Sequence, residues 1–422
     1  MRMTNGRRTR QLLAVGIAAV LAVSACSNDS GDAGGSESSG GESSGEGSGG
    51  AGNGDDGDAP LSFDPEPAFT LTEDAPQGGW PAAVLHGELA FLADWGALTV
   101  HDVTSGETVA QFEPERPLLF DPAGIGPSDA FLFPPALVDV DGEPVVLAGF
   151  AVEPSTGAVQ FDVEIIAVDA ATGEERWRFT APNPTPRPRV PQNVASVVVR
   201  GAHDGVAVVE TTRDAAASTT FGLALDDPEV VWTDDEFGVS GVHQGTAAGL
   251  GANGTLTAVD IVTGEQLWKG DEPAAHSAEL AGYSVGPAGP WLKVSSAMEA
   301  TRFVSIEDQE VAFTADDGVN GAMFCLSDVD ASVVVCVEDD TEAVAMDTES
   351  GEVLWHDDSW DGRLKGLWHG AVYVARDDAA VVVDARTGDV VSEDGGVAPA
   401  VVNDHVGIAQ DGTDVNVYPV AG

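Results

Sequence analysis

One phrase recurs along this chain: a hydrophobic residue, any residue, Asp, two further residues, Thr or Ser, Gly, then Glu or Asp, usually with Trp eight positions after the Asp. The clearest copies run from Ala167 through Asp169 and Gly173 to Trp177, from Ala258 through Asp260 and Gly264 to Trp268, and from Ala345 through Asp347 and Gly351 to Trp355. Each reads as strand, turn, strand. The Asp carboxylate can accept backbone N–H bonds inside the turn, and Gly supplies the positive φ that the turn needs. A small sheet built on one such copy cannot bury its own faces. Successive copies must therefore stack, with the large Trp rings wedged between neighbouring sheets.

Stacking of repeated small sheets around an axis is a β-propeller. Two weaker copies keep the turn: His101 to Glu107 leads to Phe112, and Val383 to Asp389 lacks the Trp. Two more are degenerate, with Asp226 reaching Trp232 by a shorter turn and Glu307 reaching Phe313. These make seven units. After them, 400–402, 406–409 and 415–418 read as three further short strands with no fourth strand following. The segment 68–72, ahead of the first unit, is the natural donor of the missing strand, because joining the chain ends removes exposed sheet edges. The expectation is an all-β propeller of eight blades, with seven as the alternative.

The N-terminus carries a separate signal. Arg2, Arg7, Arg8 and Arg10 precede an apolar run from Leu12 to Val23, which is too short for a comfortable membrane span and reads as an export signal. The run ends at Val23-Ser24-Ala25-Cys26, which resembles a bacterial lipobox. The resemblance implies cleavage before Cys26 and lipidation of its thiol, and two or three acyl chains suffice to hold a soluble domain at a membrane. Whether export is by the general or the twin-arginine route stays open. Residues 27–60 are almost all Gly, Ser, Ala, Asp and Glu, with no means of forming a core. As a flexible coil this tract spans ~30 Å. The expected organisation is a signal peptide over 1–25, a tether over 26–60 and the propeller over 61–422.

Charge narrows the setting. The chain carries 70 acidic and 18 basic side chains, for a net charge of −52, and loss of the four N-terminal Arg leaves 14 basic residues and −56. Such a field repels nucleic acid and anionic lipid surfaces. Between Ala181 and Arg200 there is no acid, while Arg187, Arg189 and Arg200 follow Arg176 and Arg178. The Pro-rich part of this stretch reads as an extended crossover between blades. Its Arg residues either pair with neighbouring carboxylates or make Arg187 and Arg189 a docking point for a partner. A second insertion, 113–135, carries Phe120, Phe131 and Phe133 and packs on the rim or covers one mouth of the central channel.

Cysteine usage agrees with export. Cys325 and Cys336 lie at equal distances from a turn centred on Asp330-Ala331, so a hairpin sets them directly opposite one another, near disulfide reach. Catalytic signals are thin. Gly282-Tyr283-Ser284-Val285-Gly286 has the spacing of a nucleophile elbow, but Pro287 and Pro290 follow it inside a propeller unit. The eight His residues show no zinc spacing, and Asp139-Val140-Asp141-Gly142 reads as a hairpin turn.

Over residues 68–420, the Ala-x-Asp-x-x-Thr-Gly-x-x-x-Trp repeat resembles that of the quinoprotein-like propellers, the pyrroloquinoline-quinone repeat family. That family includes calcium- and quinone-dependent alcohol dehydrogenases, and also cofactor-free lipoproteins such as the propeller subunit of the outer-membrane barrel-assembly machinery. The repeat specifies fold far better than function. The dehydrogenases use a vicinal Cys-Cys pair or equivalent cap, a calcium-binding Glu and Asn, and a catalytic Asp. This chain has no Cys-Cys and no Cys-x-x-Cys-His, so no catalytic residue, cofactor ligand or metal ligand carries over. The expectation is a monomeric, non-enzymatic lipoprotein on the extracytoplasmic face of the cell membrane, without a cofactor, binding an envelope protein as scaffold or sensor. A glycan- or solute-binding propeller is the alternative, with Trp80, Trp95, Trp291, Trp360 and Trp368 as platforms, and a quinone-dependent dehydrogenase is the remaining one. High Ala, Gly, Val and Asp usage leaves the kind of envelope open.

Overall fold

A computed structural model describes residues 59–75, 80–94, 96–119, 133–155, 161–183, 196–214, 217–273, 283–296, 299–315, 324–338, 341–376 and 379–421. They form eight four-stranded antiparallel sheets. Seven blades are continuous in sequence: 83–112, 136–182, 196–234, 238–273, 283–314, 324–357 and 363–392. The eighth combines Val401–Val402, Val406–Asp411 and Asp414–Pro419 with Phe69–Thr72 from the other end of the chain. Phe69 pairs with Val417, so the ring closes by the strand exchange expected from the sequence. From blade 2 round to blade 1, the first strand of each blade touches the first strand of the next, and the first strands surround the axis.

The repeat works as its residues suggest. In the turn between third and fourth strands of blade 4, Asp260 Oδ1 accepts the Thr263 N–H (2.7 Å) and hydroxyl (2.9 Å), while Gly264 adopts φ 71° and donates its N–H to the Asp260 carbonyl (2.8 Å). The same bonding holds down the carboxyl of Asp102 to about 2, the Thr104 hydroxyl contributing most. Asp347 is held well below the ordinary carboxylate range, first by Arg386 and then by Ser350.

Register shows why Ala precedes the Asp by two and Trp follows by eight. Ala167 pairs with Trp177, Ala258 with Trp268 and Ala345 with Trp355, so a small residue lies beneath each indole. The ring then reaches the next blade. Trp232, Trp268 and Trp355 donate Nε1–H to the carbonyls of Ile261, Ile306 and Ala385 at 2.7, 2.8 and 2.8 Å. Those acceptors directly follow the turn position of the next repeat. A Cβ on Gly264 would lie 2.6 Å from the Trp232 ring, and one on Gly388 would lie 3.1 Å from Trp355. Gly is needed there twice over, for its φ and for the incoming indole.

The degenerate units correct the sequence reading. Asp226 and Glu307 are not the turn residues of their blades. Ala224 N–H bonds to the Glu229 carbonyl at 3.0 Å and Ser305 N–H to the Glu310 carbonyl at 2.8 Å, matching Asp260 N–H to Glu265 at 2.9 Å. Ala224 and Ser305 therefore occupy the Asp position, and Trp232 and Phe313 each follow at the normal interval of eight. Gln309, at φ 65°, takes the place of Gly. In blade 1 the docking position opposite Val100 is Ala110 rather than Phe112. In blade 8 it is Phe69, whose ring lies 2.9 Å from where a Gly106 Cβ would project.

The fold begins before the closing strand. Phe63 is 1% exposed among Tyr373, Val402 and Tyr418, with its N–H on the Gly395 carbonyl at 2.9 Å. The Pro60 carbonyl accepts the buried Tyr373 hydroxyl at 3.0 Å.

Candidate functional site

Strand alternation divides the disc into two unlike faces. Connections from first to second and from third to fourth strand lie on one face, and nearly all are short turns with left-handed residues such as Asp141, Gly142, Asp204, Gly205 and Gly264. Asp139 Oδ1 accepts the Gly142 N–H at 2.7 Å, so Asp139 to Gly142 is the hairpin turn expected. Connections between blades open on the opposite face, and five of them span nine residues or more: 73–82, 113–135, 183–195, 274–282 and 315–323. This loop face is where the chain invests length that the fold itself does not require.

Trp80 lies in the connection entering blade 1 and is 38% exposed. Its ring centroid is 4.7 Å from that of Phe324, the first residue of blade 6, which is 41% exposed. Blades 7 and 8 separate blade 6 from blade 1, so Trp80 reaches across the axis at the loop-side mouth. Beside it, Trp80, Pro81, Lys365, Ala398, Ala400, Ala409 and Gln410 line a half-open hollow of 50 Å³. Lys365 belongs to the first strand of blade 7, and Ala409 and Gln410 to the second strand of blade 8.

Charge is segregated towards this mouth. The eight first strands carry Arg200, Arg363 and Lys365 but only two carboxylates, Asp139 and Asp328, in a chain with 70 acids. Both acids are at the turn-face ends and are engaged by backbone N–H groups, Asp328 by Asp330 (3.0 Å), Ala331 (3.1 Å) and Gly370 (2.8 Å). Arg200 is neutralised by Glu210 at 2.5 Å, with Phe133 stacked 5.5 Å from its guanidinium carbon. Lys365 forms no ion pair or hydrogen bond among the described residues. A buried cation lies away from the mouth: Lys293, 6% exposed in blade 5, has its pKa lowered by burial, which Glu338 partly opposes.

The other residues singled out by sequence distribute as follows. Cys26, Arg187 and Arg189, with Trp95, Phe120 and Phe131, lie outside the described residues. Arg176 pairs with Asp169 and Glu143 at 2.6 and 2.7 Å, and Arg178 with Glu175 at 2.8 Å. Trp291 and Trp360 are buried at 5% and 4% exposure, and Trp368 stacks on His369 at 4.0 Å. Ser284 lies within the strand Tyr283–Ala288 rather than at a strand-to-helix turn. Cys325 and Cys336 are directly opposed in adjacent strands with Cα atoms 4.0 Å apart and are joined as a disulfide. A thiol assay on the denatured, unreduced protein is expected to find neither reactive; two titrating thiols would show that the bond does not form. Neither Trp80 nor Lys365 stood out as a pair in the sequence, since their proximity arises only from ring closure.

Comparison with known proteins adds the following. The sequence profile of the family described as outer membrane protein assembly factor BamB matches residues 223–399. No curated protein matches the chain. Among solved structures, quinohemoprotein alcohol dehydrogenase from Comamonas testosteroni superposes with a TM-score of 0.50 at 11% identity, over 85% of this chain and 76% of that one. BamB from Moraxella catarrhalis gives 0.48 at 17% identity, over 80% and 95%, and Saccharomyces cerevisiae Sqt1 gives 0.49 at 11%, over 86% and 100%. The fold is a quinoprotein-like eight-bladed β-propeller.

Among the described residues no group of three or more His, Cys, Asp or Glu side chains is placed to hold a metal, and the hollow beside Trp80 measures 50 Å³.

Proposed function

We propose that this protein is an extracytoplasmic, lipid-anchored propeller that binds a protein of the cell envelope on its loop face. The observation that carries the reading is the tilted Trp80–Phe324 contact, two large aromatic rings left 38% and 41% exposed across the mouth of the propeller. Partly exposed aromatic clusters of this kind, next to a cation, have the composition of interface anchors. On the turn face the aromatic pair among the described residues is Trp368 with His369, whose side chain is only 16% exposed, and the turn carboxylates accept hydrogen bonds from their own backbone.

Three further observations support the reading. The family profile matched over 223–399 is that of an assembly factor, which by its description acts on outer membrane proteins. Arg187 and Arg189 belong to the connection 183–195, which leaves and re-enters the fold on the loop face. The lipobox ending at Cys26 and the acidic tract after it would hold the domain near a membrane without pressing a strongly negative disc against anionic headgroups. The role is binding rather than catalysis, in keeping with the missing Cys-Cys pair and haem motif.

A photoreactive phenylalanine analogue placed at position 80 of the full chain, in native membranes, is expected to yield one discrete protein adduct, and the same group at Asp141 on the turn face none. Equal adducts from both positions, or none from position 80 in protein that is folded and membrane-bound, would overturn the reading.

A further inference from the structure

We propose that the hollow beside Trp80 captures the C-terminal carboxylate of a peptide chain ending in a small residue. The proposal rests on the loop face being the binding face, and goes further by naming what is bound there. Four properties of the hollow lead to it.

The first is charge. Lys365 has no counter-ion among the described residues, although the chain carries 70 carboxylates. An ammonium left unpaired in so acidic a protein, on an innermost strand whose neighbours also lack free acids, is available to an incoming carboxylate. The pairing would be a charge-assisted hydrogen bond.

The second is size. A cavity volume of 50 Å³ accommodates about four water-sized groups, the bulk of a carboxylate and a methyl-bearing carbon. The hollow is open on one side, so a small terminal group fills it while the residues that precede the terminus lie outside, towards Trp80.

The third is lining. The methyl groups of Ala398, Ala400 and Ala409 and the ring of Pro81 form an apolar wall, and Gln410, whose Nε2 donates to the Gly412 carbonyl at 3.0 Å, borders it as a polar side chain held in place by the backbone. That combination of one cation, one amide and an alanine wall matches a terminal carboxylate on a small aliphatic residue. Capture of chain termini is a recurring mode of peptide recognition.

The fourth is the platform. Trp80 borders the hollow and continues into the exposed Trp80–Phe324 pair, which gives the residues preceding the terminus an apolar surface to lie on. An arriving peptide would place its terminal carboxylate on Lys365 Nζ, its last side chain against the alanines and its preceding backbone over the indole.

The test uses the full-length protein and the probe fluorescein-Gly-Gly-Ala-Ala with a free C-terminus, read by fluorescence anisotropy. Saturable binding is expected, weakening about ten-fold when the probe is amidated, and by a similar factor in Lys365→Gln but much less in Lys365→Arg. Ala409→Leu, which fills the hollow, is expected to abolish it, and circular dichroism of each variant reports whether the fold is kept. Absence of saturation up to roughly 5 mM, equal binding of acid and amide, equal binding of an amidated probe with an internal Asp, or indifference to Lys365→Gln in folded protein would each overturn the proposal. Any of these results together with a surviving adduct from position 80 would leave the loop face as a binding face and remove only the terminal carboxylate.

Discussion

Trp355→Ala is expected to destabilise the propeller by about 3–5 kcal/mol, the range for deleting a large aromatic side chain from a packed site. Three contacts are lost together. The indole covers Gly388 of blade 7, where a built Cβ would be 3.1 Å away; its N–H bonds to the Ala385 carbonyl at 2.8 Å; and its ring stacks on Trp360 at 6.0 Å. Trp360 is 4% exposed, with Arg376 5.9 Å above it, so the cavity opens into a second buried aromatic rather than towards solvent. Trp355→Phe keeps most of the apolar contact and removes the hydrogen bond, leaving a buried carbonyl with one partner fewer, and is expected to cost about 1–3 kcal/mol. Urea unfolding of the two variants against the parent separates these contributions. A loss below 1 kcal/mol for the Ala variant would mean that the blades are held together by their inner strands and that the indole is ornamental to stability. At Val391, 46% exposed on the outer strand of blade 7, an Ala substitution should leave the midpoint almost unchanged.

Where the turn residues and the Trp coincide, blade structure is legible directly from the chain. Asp169, Asp260 and Asp347 announce themselves because a side-chain acceptor, a positive φ and a docking ring are needed within nine residues, and few residue types meet each need. Legibility fails where the backbone alone performs the turn. Ala224 and Ser305 hold the Asp position through their N–H bonds to Glu229 and Glu310, which any residue can make, so the nearby Asp226 and Glu307 are misleading. Closure was readable from a strand count, since three short segments after residue 399 lack a fourth. The mouth was not readable. Trp80 and Lys365 are 285 positions apart, and nothing in either segment states that blades 1, 7 and 8 come together on the axis; only the exchange of Phe69–Thr72 into blade 8 places them side by side. The chain has three lysines, Lys269, Lys293 and Lys365, and that scarcity is a signal of a kind. It sets Lys365 apart without locating it.

That exchange is also where the largest loss of stability is expected. A chain beginning at residue 73 lacks the fourth strand of blade 8 and the preceding segment that carries Phe63. Three apolar side chains leave the core with it: Phe63 at 1% exposure, Leu71 at 8% and the partly buried Phe69, whose ring fills the space over Gly106 of blade 1. At about 1.5–3 kcal/mol each, these side chains alone amount to roughly 5–9 kcal/mol, comparable with the whole stability of many domains. The strand bonds from Phe69, Thr70 and Thr72 to Val417, Asn416 and Val415 are lost as well, and Thr70 Oγ1 no longer reaches Asn416 Oδ1 at 2.7 Å. The strand Asp414–Pro419 then becomes an uncovered edge bordering an opened core, a template for pairing between molecules. The expected result is a protein that unfolds at far lower urea or elutes as soluble oligomers in size-exclusion chromatography with light scattering. A chain beginning at Ala59 is the control. It retains the Pro60 carbonyl under the Tyr373 hydroxyl and Phe63 in its place, and should match the parent in midpoint and mass. A monomeric, equally stable product from residue 73 would mean that the first seven blades close the ring without the exchanged strand. Loss of stability in the Ala59 chain would instead place part of the fold's support within the acidic tract.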